Sequence, residues 1–161
     1  MGAAGWVPGG TAVQTAAIPL QRLAAEKGLV FGSCLALKYC AQSAAYQQLF
    51  LSQCDIATPE LHMKWNSLSS QSGIYNFINA DKFVTFCATN RIRVRGHTLV
   101  WHDALPTWVA QQLTAESGRA MIADHIAKVA GHFAGKAASC TSNSVMKIFI
   151  PRRANWLRKA S

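Results

Sequence analysis

Acidic side chains are scarce in this sequence, and their distribution argues against one class of partner. The 161 residues include 7 Asp and Glu against 16 Lys and Arg, a net charge of +9, and no acidic residue follows Asp124. Such a balance ordinarily indicates nucleic acid or an anionic surface as a partner. Here the excess lies largely in a C-terminal tail, so we predict no nucleic-acid partner. The basic residues after Asp124 are Lys128, Lys136, Lys147, Arg152, Arg153, Arg158 and Lys159.

Paired cysteines and long hydrophobic runs are also absent. The five cysteines form no C-x-x-C pair, which indicates neither a zinc site nor a disulfide framework, and we predict no metal and no cofactor. No stretch approaches the roughly 20 apolar residues of a membrane span, so no membrane partner is predicted. Residues 1–22 lack the basic start and the continuous apolar core of a signal peptide, and we interpret them as an N-terminal segment that is at most the remnant of one.

The sequence does contain apolar runs of strand length that alternate with helical patterns. Half of it is hydrophobic and only 14% is charged, which excludes general disorder. The predicted strands are Leu29–Leu35, buried on both faces, Ile56–Pro59 and Arg93–Val100. This alternation predicts an α/β domain. The first predicted helix is Leu20–Lys27, which ends at Gly28. The others are Ala44–Ser52, Asn79–Asn90 and a long helix that Thr114 caps. The predicted buried stripe of this long helix is Met121, Ile122, Ile126, Val129 and Phe133.

The third predicted strand carries polar side chains on one face. Arg93, Arg95 and His97 share one parity with Trp101, because successive side chains of a strand point to opposite faces. Buried charges are very costly without partners, so these arginines need them. We interpret the residues from Trp101 to Trp108 as the loop after the strand. A strand that presents His and Trp at its C-terminal end is typical of the active face of an α/β barrel.

Several motifs in this region resemble those of one protein family. The string RGHTLVWH at 95–102, with Pro106-x-Trp108-Val109 after it, resembles the third-strand signature of the family 10 glycoside hydrolases, the endo-1,4-β-xylanases. Further motifs match the same family in the same order, and the resemblance runs from about Leu23 to Gly135. These motifs are Phe31-Gly32, Thr58-Pro59-Glu60-x-x-Met63-Lys64-Trp65, Gly73-x-Tyr75-x-Phe77 and Ala80-Asp81.

The resemblance implies an incomplete (β/α)8 TIM barrel. A whole barrel takes roughly 250 residues, so we expect residues 23–136 to form the first three to four βα units and residues 137–161 to be a divergent basic tail. The resemblance also implies xylan or a xylo-oligosaccharide as the partner and a secreted or periplasmic location. An incomplete barrel leaves strand edges unpaired, which favours self-association.

By resemblance, four residues bind substrate: Glu60, Lys64, His97 and Trp101 would hold xylose units on the glycone side of the bond that is cut. Carboxylate, ammonium and imidazole groups bond to hydroxyls, and an indole covers the apolar face of a sugar ring. Without the resemblance, His97 and Trp101 would also fit interior packing.

Other positions near these residues are predicted to be structural or to weaken sugar binding. Leu61 and Ala104 stand where many family members carry an asparagine and a glutamine, so each removes a hydrogen-bonding side chain. His102 is predicted to orient its neighbours. The residues predicted to serve in packing are Phe31, Trp65 and Trp108.

The catalytic groups of the family are not found in this sequence. Retaining hydrolysis needs two carboxyl groups about 5–5.5 Å apart, which the family supplies as glutamates on its fourth and seventh strands. The fourth-strand glutamate falls on Val145 or Lys147, and the seventh strand lies beyond Ser161. We therefore expect a truncated xylanase that is inactive by itself, and whether the chain is an enzyme stays open. The alternative is a non-catalytic remnant that binds carbohydrate or interacts through its sheet edges.

Overall fold

The computed structural model of the protein describes residues 17–134. The predictions for the segment up to residue 16 and for the tail from residue 135 lie outside this range. No helix within the range is long and apolar enough to cross a membrane. The elements are β1 (Gly32–Leu35), β2 (Ile56–Pro59), β3 (Arg93–Val94), α1 (Leu20–Ala25), α2 (Leu37–Gln42), α3 (Ala44–Gln53), α4 (Trp65–Leu68), α5 (Ile78–Thr89), α6 (Thr107–Gln112) and α7 (Ala115–Phe133), with a 3-10 turn at His102–Ala104.

The three strands form one parallel sheet in the order β1-β2-β3. Consecutive strands are joined through helices, as parallel pairing requires. Gly32 lies opposite Ile56, and a Cβ atom at position 32 would fall on the Ile56 carbonyl oxygen, so this close approach requires glycine. The parallel sheet with its helices confirms the predicted α/β class.

The third strand is much shorter than the predicted Arg93–Val100. Its pairing with β2 ends after the Arg95 N–H donates to the Ala57 carbonyl oxygen at 2.9 Å. The next bond of a parallel ladder would need a donor at position 59, and Pro59 has no N–H. The residues from Gly96 to Trp101 therefore leave the sheet, which places His97 in a loop.

The prediction that the first strand is buried on both faces is wrong. Ser33 and Cys34 are exposed, because β1 lies at the edge of the sheet and pairs only with β2 within residues 17–134. The strand also begins at Gly32 rather than Leu29. Leu29 and Val30 precede it with exposed fractions of 64% and 46%.

The helices agree with most of the predicted segments. Helices α3, α5 and α7 lie where they are predicted, and α1 ends in a turn at Gly28, which has φ +68°. Three short helices are not predicted: α2, α4 and α6. The predicted loop from Trp101 to Trp108 contains the 3-10 turn and the first residues of α6.

Thr114 caps α7 as predicted. Its side chain accepts a hydrogen bond from the Ser117 N–H, and the Ser117 hydroxyl accepts one from the Thr114 N–H. This capping box satisfies two backbone donors at the helix start. Of the predicted stripe, Val129 is fully buried, whereas Met121 and Ile122 are only half-buried.

The core lies between one face of the sheet and helices α3, α5 and α7. Each strand contributes an inward side chain to it, namely Leu35, Ala57 and Val94. Phe83 and Cys87 of α5 pack against them, and both are fully buried. The core thus fixes one face of the sheet and leaves the carboxyl ends of its strands open.

Candidate active-site cleft

A cleft opens at the carboxyl ends of the three strands, with a volume of about 460 Å³. It is bounded by β1, β2 and the segments that follow β2 and β3. The fold brings all four residues predicted to bind substrate to this cleft. The residues that line it are Cys34, Thr58, Pro59, Glu60, Lys64, Arg95, His97 and Trp101.

One carboxylate oxygen of Glu60 is buried and has no hydrogen-bond partner in the part of the chain that the structure describes. Glu60 directly follows β2, and its N–H donates to the Leu35 carbonyl oxygen of the neighbouring strand at 3.4 Å. Its Oε2 is buried, and no donor among residues 17–134 bonds to it. Because buried acceptors normally have a partner, this oxygen can accept a hydrogen bond from a hydroxyl group that enters the cleft.

Trp101 lies close to both Lys64 and His97 in the cleft. The Lys64 Nζ atom lies 4.7 Å from the centre of the Trp101 ring, close enough for a cation–π interaction. The His97 ring centre is 6.4 Å from that of Trp101, with the two planes tilted by 45°. Trp101 is half-buried, so part of the indole remains open to a ligand.

The protonation of His97 and Cys34 reflects the charges around them. Burial lowers the pKa of His97, and the nearby Lys64 and Arg95 lower it further. A neutral imidazole offers one donor and one acceptor nitrogen. Cys34 is exposed overall, but the partial desolvation of its thiol in the cleft raises the pKa, the Glu60 carboxylate raises it further, and Lys64 opposes both. The thiol therefore stays protonated at neutral pH and is not a strong nucleophile.

Comparison with known proteins decides the family. A sequence profile of glycosyl hydrolase family 10 matches residues 19–142. The chain belongs to this family. Endo-1,4-beta-xylanase 3 of Hypocrea jecorina is 41% identical over 95 residues, which are 59% of this chain and 26% of that protein. Endo-1,4-beta-xylanase B of Thermotoga neapolitana is 33% identical over 122 residues, 74% of this chain and 35% of that protein.

Solved structures of family 10 xylanases share the fold. Xylanase 10B of Thermotoga petrophila RKU-1, in complex with xylobiose, matches with a TM-score of 0.68 at 32% identity, over 77% of this chain and 39% of that chain. Xylanase 10B of Thermotoga maritima matches with a TM-score of 0.65 at 32% identity, over 74% and 38%. The predicted partial TIM barrel is thereby confirmed. The chain spans about a quarter to two fifths of the length of these relatives.

Four residues that line this cleft are not predicted to do so from the sequence: Cys34, Thr58, Pro59 and Arg95. Cys34 and Thr58 reach it because the parallel register places them opposite each other near the ends of β1 and β2. Arg95 shares its parity with His97, and that alternation was the signal that could have added it.

The residues predicted to surround the site have mixed roles. Trp108 packs as predicted, and its Nε1–H donates to the Ser69 carbonyl oxygen at 3.1 Å. His102 lies edge-on to Trp101 with ring centres 6.4 Å apart, and its Nε2 is 3.0 Å from an Asp103 carboxylate oxygen. Leu61 and Ala104 do not line the cleft.

A buried stack of aromatic rings begins at Trp65, the residue next to Lys64 of the cleft. Trp65 follows Lys64 directly, is 1% exposed, and stacks on His125 of α7 with ring centres 4.0 Å apart and planes 12° apart. The His125 Nδ1 atom is 2.9 Å from the Tyr75 hydroxyl oxygen. Burial lowers the pKa of His125 to about 4. The buried His125 is not predicted by the apolar stripe of α7, since a polar residue interrupts that stripe.

Proposed function

We propose that this chain supplies the glycone-side wall of a xylan-binding cleft and binds β-1,4-linked xylose units there. The observation that supports this proposal is that one cleft contains a buried Glu60 oxygen, to which no donor among residues 17–134 bonds, and a partly open Trp101 ring. Sugars present hydroxyl donors together with an apolar ring face, and these two groups match both features. Lys64 and His97 supply the remaining polar contacts.

The relatives support a proposed substrate and location. The proteins that match this chain are named endo-1,4-beta-xylanases, and one solved relative holds xylobiose. We propose xylan as the polysaccharide and a secreted or periplasmic location for the protein, because a polymer of this size does not cross a membrane unaided.

Replacing Trp101 with alanine tests the binding cleft. We expect the 161-residue chain to bind xylotetraose, and Trp101→Ala to weaken the affinity about 10-fold, because the variant loses the apolar area that the indole buries against the sugar ring, at about 25 cal/mol per Å². The measurement is isothermal titration calorimetry at neutral pH. Tyr39→Ala is the matched control, since Tyr39 is an aromatic residue that is 46% exposed and does not line the cleft. Equal losses in both variants, or no binding by the wild type, would contradict the proposed function.

A second candidate role is association through the free edges of the sheet. Within residues 17–134, β1 and β3 each pair with a strand on one side only, and the exposed Leu29 and Val30 lie just before β1. Unpaired strand edges beside exposed apolar side chains favour pairing with another chain. We expect the mean mass in light scattering to rise with concentration, and Val30→Lys to reduce that rise. A constant monomer mass at all concentrations argues against this role.

A further inference from the structure

We propose that Arg95 and Lys64 make this cleft selective for a sugar that carries a carboxylate, such as a xylo-oligosaccharide with one uronosyl unit. The inference rests on the proposed sugar-binding function and adds a charged substrate class to it.

The charge of the cleft lining is the first observation. Of the eight lining residues, two are cations, Lys64 and Arg95, and Glu60 is the single acid. His97 adds no positive charge at neutral pH, because burial and these two cations lower its pKa. The lining therefore has an excess of one positive charge, which favours an anionic ligand.

The second observation is that neither cation forms an ion pair with a residue in the described part of the chain. The ion pairs among residues 17–134 are Arg22 with Glu26, His102 with Asp103, Lys128 with Asp124, and His132 with Asp81. Lys64 instead lies over the Trp101 ring, which leaves it able to meet a carboxylate. Arg95 is exposed at the cleft, so its guanidinium is hydrated and accessible.

Arg95 is positioned to bind a carboxylate specifically, beyond a general electrostatic attraction of anions to the cleft. Its backbone is fixed by the hydrogen bond to Ala57 at the last rung of the sheet. A guanidinium presents a planar fork of donors that matches the two oxygens of a carboxylate. Glu60 follows β2 and Arg95 follows β3, so the acid and the guanidinium start from different strands. A ligand can therefore meet the Glu60 oxygen with a hydroxyl and Arg95 with a carboxylate.

A matched set of three ligands tests this selectivity in the 161-residue chain. They are unbranched xylotetraose, xylotriose with one glucuronosyl branch, and the methyl ester of that branched acid, which removes the charge and keeps nearly the same shape. By calorimetry at neutral pH and low salt, we expect the acid to bind about 10-fold tighter than its ester, as for one charge-assisted contact that is partly open to solvent. The ratio should shrink on going from about 0.05 M to about 0.5 M NaCl.

Substitutions test whether the preference for the acid over its ester arises from Arg95 in the cleft. Arg95→Gln should reduce the ratio of acid to ester affinity to about 2-fold or less, and Arg95→Lys should restore part of it, because a point charge replaces the fork. Lys82→Gln removes one positive charge from the exposed surface of α5, away from the cleft, and should keep the full ratio. Because the readout is a ratio within one protein, a general loss of folded protein does not imitate it.

Failure of the charge preference and failure of the proposed sugar-binding function give different results in this experiment. Equal affinity of the wild type for acid and ester overturns the charge preference, while binding of xylotetraose in the same experiment keeps the proposed function. Absence of binding to all three sugars overturns both. Inorganic phosphate that competes as strongly as the branched acid, with the same dependence on Arg95, would indicate a general anion site and would also overturn the inference.

Discussion

Xylan incubated with the 161-residue chain is expected to release no reducing sugar above the uncatalysed background. All seven acidic residues of the sequence fall within residues 17–134, and Glu60 is the one among them that lines the cleft. Retaining hydrolysis requires two carboxyl groups about 5–5.5 Å apart. A missing general acid costs about 10²–10⁴ in rate, and a missing nucleophile removes the covalent intermediate altogether.

The assay compares reducing-sugar release by the wild-type chain and by Glu60→Gln, with an active family 10 xylanase as the positive control. Both forms of the chain should match a blank without protein, even where calorimetry detects binding of xylotetraose. Robust release by the wild type that disappears in Glu60→Gln would show that Glu60 acts in a catalytic pair and would contradict the prediction.

The second large effect is a loss of stability in mild acid that depends on His125. This imidazole is fully buried, and burial lowers its pKa from the ordinary 6.5 to about 4. Between these values the unfolded chain binds a proton that the folded chain does not, so the free energy of unfolding falls as the pH falls. Above pH 6.5 His125 contributes no pH dependence, and below about pH 4 its contribution is lost in full. The loss across this window is about 3 kcal/mol.

Denaturant unfolding at several pH values checks this expectation. The double variant His125→Phe with Tyr75→Phe removes the titrating ring and its 2.9 Å hydroxyl partner together, while it keeps aromatic rings against Trp65. The difference between wild type and variant cancels the other titrating groups, and that difference should change by about 3 kcal/mol between pH 6.5 and pH 4. A difference that is constant with pH would show that His125 titrates normally.

The length of the third strand could be predicted only in part from the sequence. Alternation of apolar and polar residues in Arg93–Val100 predicts a strand throughout, and it correctly predicts that Arg95 and His97 share a side. The ladder ends after Arg95 because its partner at the next rung is Pro59, some forty residues earlier in the sequence. Only the register between β2 and β3 brings the two positions together.

Burial at the first strand and in the last helix depends on neighbours in the same way. Leu29–Leu35 has the composition of a strand covered on both sides, yet Cys34 is exposed because β1 lies at an edge of the described sheet. In the sequence, His125 is a polar residue that interrupts the apolar stripe of α7. It is nevertheless fully buried between Trp65 and Tyr75. Ring stacking and one hydrogen bond to Tyr75 offset the free-energy cost of burying the imidazole.

The sequence by itself determined the family, the α/β class and the positions of the long helices. It also predicted which four side chains bind substrate, namely Glu60, Lys64, His97 and Trp101. These features depend on motifs and local periodicity, which involve residues close together in the sequence. The tertiary structure decided that these four side chains meet in one cleft, that Arg95 and Cys34 join them, and that no donor among residues 17–134 bonds to one Glu60 oxygen there. Such facts depend on which strands lie side by side and in what register, because distance and burial are properties of residues far apart in sequence.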